Sequence, residues 1–77
     1  MKFIIVEERG LEQGIIFSEI LSHKEVAGCK TVISGGFCSI FFNEEMKIQC
    51  WGESVSLRIK ARPQDGDVLL KSLMFRA

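Results

Sequence analysis

One histidine, three cysteines and a run of alternating hydroxyls and cations are the residues of this chain that could do chemistry. His23 directly follows Ser22, and Ser22 with Glu25 makes the S-x-x-E pattern of a helix capping box. The spacing predicts a helix starting at Ser22, with His23 beside backbone N–H groups that attract anions. A histidine there suits a general base or a phosphate contact. Its plainer reading is a solvent-facing residue of the first turn. Ser54, Ser56, Arg58, Lys60 and Arg62 alternate with Val55, Leu57, Ile59 and Ala61. Strand side chains alternate faces, so a strand here would line up two hydroxyls and three cations. Such a row fits phosphate or an acidic partner. Read plainly, it is a solvated sheet face whose charges guard an edge. Cys29, Cys38 and Cys50 form no C-x-x-C and, with His23, no standard metal spacing, so neither metal nor cofactor is expected.

The elements that must hold these residues can be read from their patterns. Thr31–Arg62 reads as a long hairpin and a third extended segment. A loop of Asn43-Glu44-Glu45 sets Phe42 opposite Met46, Ile40 opposite Ile48 and Cys38 opposite Cys50. The other face then pairs Phe41 with Lys47, Ser39 with Gln49 and Phe37 with Trp51. A two-residue loop would mix apolar and polar side chains on each face, and that selects the register. Turn chemistry pulls weakly the other way, because Glu45 stands where such loops favour glycine. Cys38 and Cys50 would then be about 4.5–5.5 Å apart at Cβ, wider than a disulfide prefers. They are expected as reduced, buried thiols among Ile40, Ile48, Phe42 and Met46, with Cys29 the most exposed. Phe37 and Trp51 could stack on a base or pack against a partner, though such residues more often sit under a helix.

The apolar run Phe3-Ile4-Ile5-Val6 suits a strand covered on both faces. Gly10–Gly14 reads as a loop. Ile15-Ile16-Phe17 reads as a short strand before the helix from Ser22 to the Gly28 stop. The competing pattern is one helix from about Leu11, with Ile16, Ile20 and Ala27 on one side. Gly35-Gly36 suggests a bulge or a close backbone approach. Pro63 can open a second helix, with Asp65 and Asp67 at its positive end and Lys71 and Arg76 at its negative end. Leu69, Leu70, Leu73 and Met74 would be its apolar face, and Gly66 should weaken it by about 1 kcal/mol. The fold class is therefore α+β: a sheet of about four strands built on the long hairpin, one short helix and a C-terminal helix.

Seventy-seven residues make one domain with a small core. An apolar fraction of 47% is high for a chain of this length to hide alone, which favours a homodimer. Net charge is zero, which argues against nucleic acid and leaves any anion site to a local patch. No run reaches the roughly 20 apolar residues of a membrane span. The opening MKFIIVEERG is too short in apolar residues for a signal peptide. A cytoplasmic protein with reduced thiols is the expectation.

Three segments carry a resemblance. Ser34-Gly35-Gly36-Phe37, Cys50-Trp51-Gly52-Glu53-Ser54-Val55-Ser56-Leu57 and Arg62-Pro63-Gln64-Asp65 resemble the pattern of a set of short, uncharacterised bacterial and phage proteins. That likeness runs from Ile15 to Leu73 and implies no activity. More remotely, the order strand, His, helix, strand, Gly-Gly, hairpin, aromatic-Gly-x-Ser is similar to the janus/ocnus phosphohistidine phosphatases. Phe37 stands at that family's third glycine, and Arg58 near another. The resemblance implies His23 as a base and Ser54 as a phosphate holder. Two functions are therefore carried forward: a small binding or interaction module, and a phosphate-handling enzyme of that kind.

Overall fold

The computed structural model describes residues 1–74; Arg76, expected at the end of the second helix, lies outside them. Strands β1 (Lys2–Glu8), β2 (Leu11–Phe17), β3 (Thr31–Asn43) and β4 (Glu45–Trp51) form an antiparallel sheet in the order β2-β1-β3-β4. Helix α1 (His23–Ala27) packs on one face and α2 (Asp65–Met74) on the other, and a two-strand ribbon of β5 (Glu53–Ser54) and β6 (Ile59–Lys60) flanks β3. This is the α+β class that the patterns predict. Alternation along β1 divides the core. Phe3 and Ile5 join Cys38 and Leu69 under α2, while Ile4 and Val6 join Ala27 under α1. The unbroken apolar run of β1 is the direct consequence of being covered twice.

The hairpin register is the one its pattern selects, from Phe37–Trp51 through Cys38–Cys50 to Phe42–Met46. Glu44 takes the apex at φ 62° and Asn43 pairs with Glu45. The apolar face does not continue to the tip: Phe42 is exposed, because the hairpin outruns the helix beneath it. All three thiols are free, Cys38 buried, Cys50 half-buried and Cys29 exposed. Burial pushes the Cys38 thiol up. Burial, then Cys38 and Asp65, push the Cys50 thiol from its ordinary 9.0 to about 12. Folding therefore favours the protonated Cys50. That contribution is complete below about pH 9 and is lost as pH rises toward 12. Native-state labelling at neutral pH should modify Cys29 first and leave Cys38 and Cys50 until the protein unfolds. Equal rates at all three would mean that the sheet face under α2 is open.

Four expectations need correction. The Gly10–Gly14 stretch is not a loop: Arg9 and Gly10, both at positive φ, close a tight turn and β2 starts at Leu11. The same strand excludes a long helix from Leu11. The irregularity in β3 falls at Ile33, where the β1 register shifts, and not at Gly35-Gly36. Of the two readings of those glycines the close approach holds, since a Cβ on Gly36 would lie 2.5 Å from the Trp51 carbonyl oxygen. The third extended segment is not one strand but two short ones, β5 and β6, joined by a turn. Gly52 at φ 78° redirects the chain, Arg58 at φ 56° turns it back, and Arg58 N–H reaches the Val55 carbonyl at 3.3 Å. Val55, expected on a core face, is 81% exposed. Finally, α2 begins at Asp65 and buries Leu69 with Val68 beside it, while Leu73 and Met74 face solvent.

Helix α2 also answers what guards the sheet edges. On outer strand β2, the Gly14 N–H donates to Ser72 Oγ at 2.8 Å, and Ser72 donates in turn to the Val68 carbonyl at 2.9 Å. On outer strand β4, Gly66 lies against the Ile48 carbonyl with no room for a Cβ. One helix thus occupies a backbone position on each edge strand, which obstructs edge-to-edge pairing with another chain.

Candidate functional site

Helix α1 has five residues, too few to be stable alone. Its capping box anchors it: Ser22 Oγ accepts from Glu25 N–H at 3.0 Å, and Glu25 Oε1 accepts from Ser22 N–H at 3.3 Å. Such a cap contributes about 1 kcal/mol. Lys2 Nζ donates to the Leu21 carbonyl at 3.0 Å and ties the loop before α1 to the sheet.

The cap delivers His23 to a buried position, 5% exposed, and not to the solvent-facing one of the plainer reading. Its ring stands edge-on to Phe17 and Phe37, with centroids 5.4 and 6.0 Å away. Nε2 lies 2.8 Å from the Gly36 carbonyl oxygen. A carbonyl only accepts, so Nε2 carries a proton and donates this bond. The contact sits where β4 has ended and Gly36 keeps the chain thin. His23 therefore spends one nitrogen on holding α1 to β3.

Around it opens a cleft of about 540 Å³. Phe37 and Trp51 line it from the hairpin, Ser22 and His23 from the start of α1, and Gly52 to Ser56 from the turn after β4. Lys2 and Glu53 supply one charge of each sign. Ser54 is buried, and its Oγ lies 3.3 Å from Ser56 Oγ. One hydroxyl proton is spent between the two; the other is left to donate.

The proposed anion row is split. Ser54 and Ser56 reach the cleft with His23, whereas Arg58, Lys60 and Arg62 are not among its lining residues. Arg58 is exposed on the turn, and Lys60 is exposed and paired with Glu53 across the ribbon. Arg62 belongs to the foot of α2: Nε donates to Asp65 Oδ1 at 2.8 Å and a terminal nitrogen to Glu12 Oε1 at 2.6 Å. The Glu12 bond, then Asp65, raise the Arg62 pKa against the lowering effect of burial, so this cation is structural. The physical cause of the split is the turn at Arg58, which ends the alternation on which the row depended. Lys2 and the Gly36 carbonyl are parts of the arrangement that no local pattern announces, because only the fold brings them near His23. A second buried hydroxyl, Ser34 Oγ, has no hydrogen-bond partner among the described residues, but it does not line this cleft.

Among the described residues no helix is long and apolar enough to cross a membrane, and no three His, Cys, Asp or Glu side chains gather as a metal set. In comparison with known proteins the chain matches no family model, no curated protein and no solved structure.

Proposed function

We propose that the protein is a small interaction module that works as a homodimer through the open face of its long hairpin. One observation carries this reading. On the α1 side, the hairpin presents Phe37, Ser39 and Phe41 beside Trp51, Gln49 and Lys47; Phe37 packs on His23 of α1, while Phe41 and Trp51 stay 51% and 47% exposed. Both sheet edges are obstructed by α2, which leaves the face as the route for association. The face is also self-complementary. A two-fold axis near Ser39 and Gln49 sets Lys47 of each copy against Trp51 of the other, a cation over an aromatic ring. The contact is small, so the dimer is weak and concentration-dependent. Free thiols at Cys38 and Cys50, opposite each other yet unbonded, agree with a reducing cytoplasmic setting.

Sedimentation equilibrium from about 10 µM to 1 mM is the test, spanning the affinities of weak contacts. A monomer–dimer equilibrium is expected. Phe41→Glu should raise its dissociation constant at least tenfold, roughly 1.4 kcal/mol, without moving the melting temperature, since Phe41 is half exposed. A monomer at every concentration overturns the reading.

A second reading has its own observation. His23 and Ser54, the pair that the likeness to phosphohistidine phosphatases implies, line one cleft, with Ser56 beside them. It ranks second because His23 Nε2 is already bonded to Gly36 and the free cations stand elsewhere. Saturable amide shifts at Ser54–Ser56 on adding inorganic phosphate would favour it.

A further inference from the structure

We propose that the cleft between the start of α1 and the end of β4 binds an uncharged, planar aromatic molecule of about the size of indole or a nucleoside. The inference does not rest on the homodimer, but Phe37 and Trp51 belong to both surfaces, so a ligand and a second copy would compete for the Trp51 ring. Four observations support it.

The volume, about 540 Å³, falls within the 300–1,000 Å³ or so of small-molecule sites. Its hairpin wall is aromatic. Phe37 is fixed against His23, while Trp51 keeps nearly half its surface free and offers a ring for stacking. Its polar groups are few and placed for orientation. The Ser54–Ser56 pair has one proton to donate, and Ser54 is itself buried at the base of the turn. A neutral ligand with a ring nitrogen or carbonyl can take that proton. A ligand with no acceptor would leave a hydroxyl unsatisfied.

The fourth observation is charge. Lys2 and Glu53 cancel at the rim, so the lining carries no net positive charge for a phosphate dianion. Arg58, Lys60 and Arg62, the cations that an anion would need, stand outside the lining. A flat aromatic molecule without net charge suits such a site better than a phosphate does.

The test uses the full chain, with Trp51 as reporter, since it is the only tryptophan. Adenosine, indole, adenosine 5′-monophosphate and inorganic phosphate are titrated separately, following Trp51 emission with adenosine and the phosphates, and amide shifts for Trp51–Ser56 with all four. Saturable changes are expected with adenosine, weaker ones with indole, which has no acceptor for the Ser54–Ser56 proton, and none with inorganic phosphate. The monophosphate should bind no tighter than adenosine. Ser56→Ala should weaken adenosine about three- to tenfold, the loss of one neutral hydrogen bond. Val55→Trp, at an exposed turn position bordering the cleft, should abolish binding and leave the melting temperature unchanged. A response to phosphate alone overturns the proposal, and so does silence from both aromatic probes. Sedimentation of the same samples keeps this outcome separate from that of the dimer.

Discussion

Gly66→Ala is expected to destabilise the protein by about 2 kcal/mol, although helix propensity points to the opposite sign. Alanine inside a helix gains about 1 kcal/mol over glycine. Gly66, however, lies in the first turn of α2 directly against the carbonyl of Ile48 on β4. A methyl group there meets backbone on both sides, and neither side can rotate away as a flexible side chain would. Overpacking costs about 1–3 kcal/mol, and a backbone-on-backbone clash belongs at the upper end. The net loss should lower the melting temperature by about 8–16 °C for a domain of this size. Lys71→Ala, on the exposed side of the same helix, should leave it unchanged. Thermal unfolding of the two variants decides the matter. A Gly66→Ala variant as stable as the parent would mean that α2 does not bear on the β4 edge and leaves that edge open to pairing.

What could be read without the structure divides along a physical line. The hairpin register was legible because a slip of one residue moves every side chain to the wrong face, and Cys38, Ile40 and Ile48 allow only one pairing. The start of α1 was legible because the Ser22–Glu25 box is local chemistry. The stretch from Ser54 to Arg62 was misread for a related reason. Its alternation is real, but alternation does not forbid a turn, and the positive φ values of Gly52 and Arg58 leave no mark in the pattern. The cleft is half legible: residue type and spacing mark His23, Ser54 and Ser56, and the hairpin register marks Phe37 and Trp51. That the Gly36 carbonyl would take the His23 proton, or that Arg62 would turn to the foot of α2, depends on contacts between residues far apart in the chain. Gly66 carries the same lesson, since a local rule reads it as a weakness and only the neighbouring strand shows why no larger residue fits.

Arg62→Met is expected to cost about 3 kcal/mol, the low end for breaking a buried ion pair by removing one partner. Arg62 holds two carboxylates, and they are not equivalent. Asp65 is wholly buried; it accepts from the Arg62 backbone N–H at 2.8 Å and from Nε at 2.8 Å, and so closes the first turn of α2. Glu12, on β2, is 38% exposed in its side chain. The Glu12 contact is the shorter at 2.6 Å and does most to raise the Arg62 pKa, but water screens an exposed pair and leaves it at most about 1 kcal/mol. Glu12→Ala should therefore cost no more than that. In Arg62→Met the Asp65 carboxylate keeps its backbone N–H donor but loses its counter-charge inside the protein, which is why the low end of the range applies. A chain of this length has about 4–12 kcal/mol of stability in total, so the variant should keep about 1–9 kcal/mol. The double variant Arg62→Met/Asp65→Leu should recover part of the loss, because an apolar pair leaves no buried charge unpaired. Urea denaturation of the four proteins measures all three differences. If Arg62→Met costs no more than Glu12→Ala, the Asp65 bridge is not what fixes the foot of α2, and the helix must be held by Leu69 and its neighbours alone.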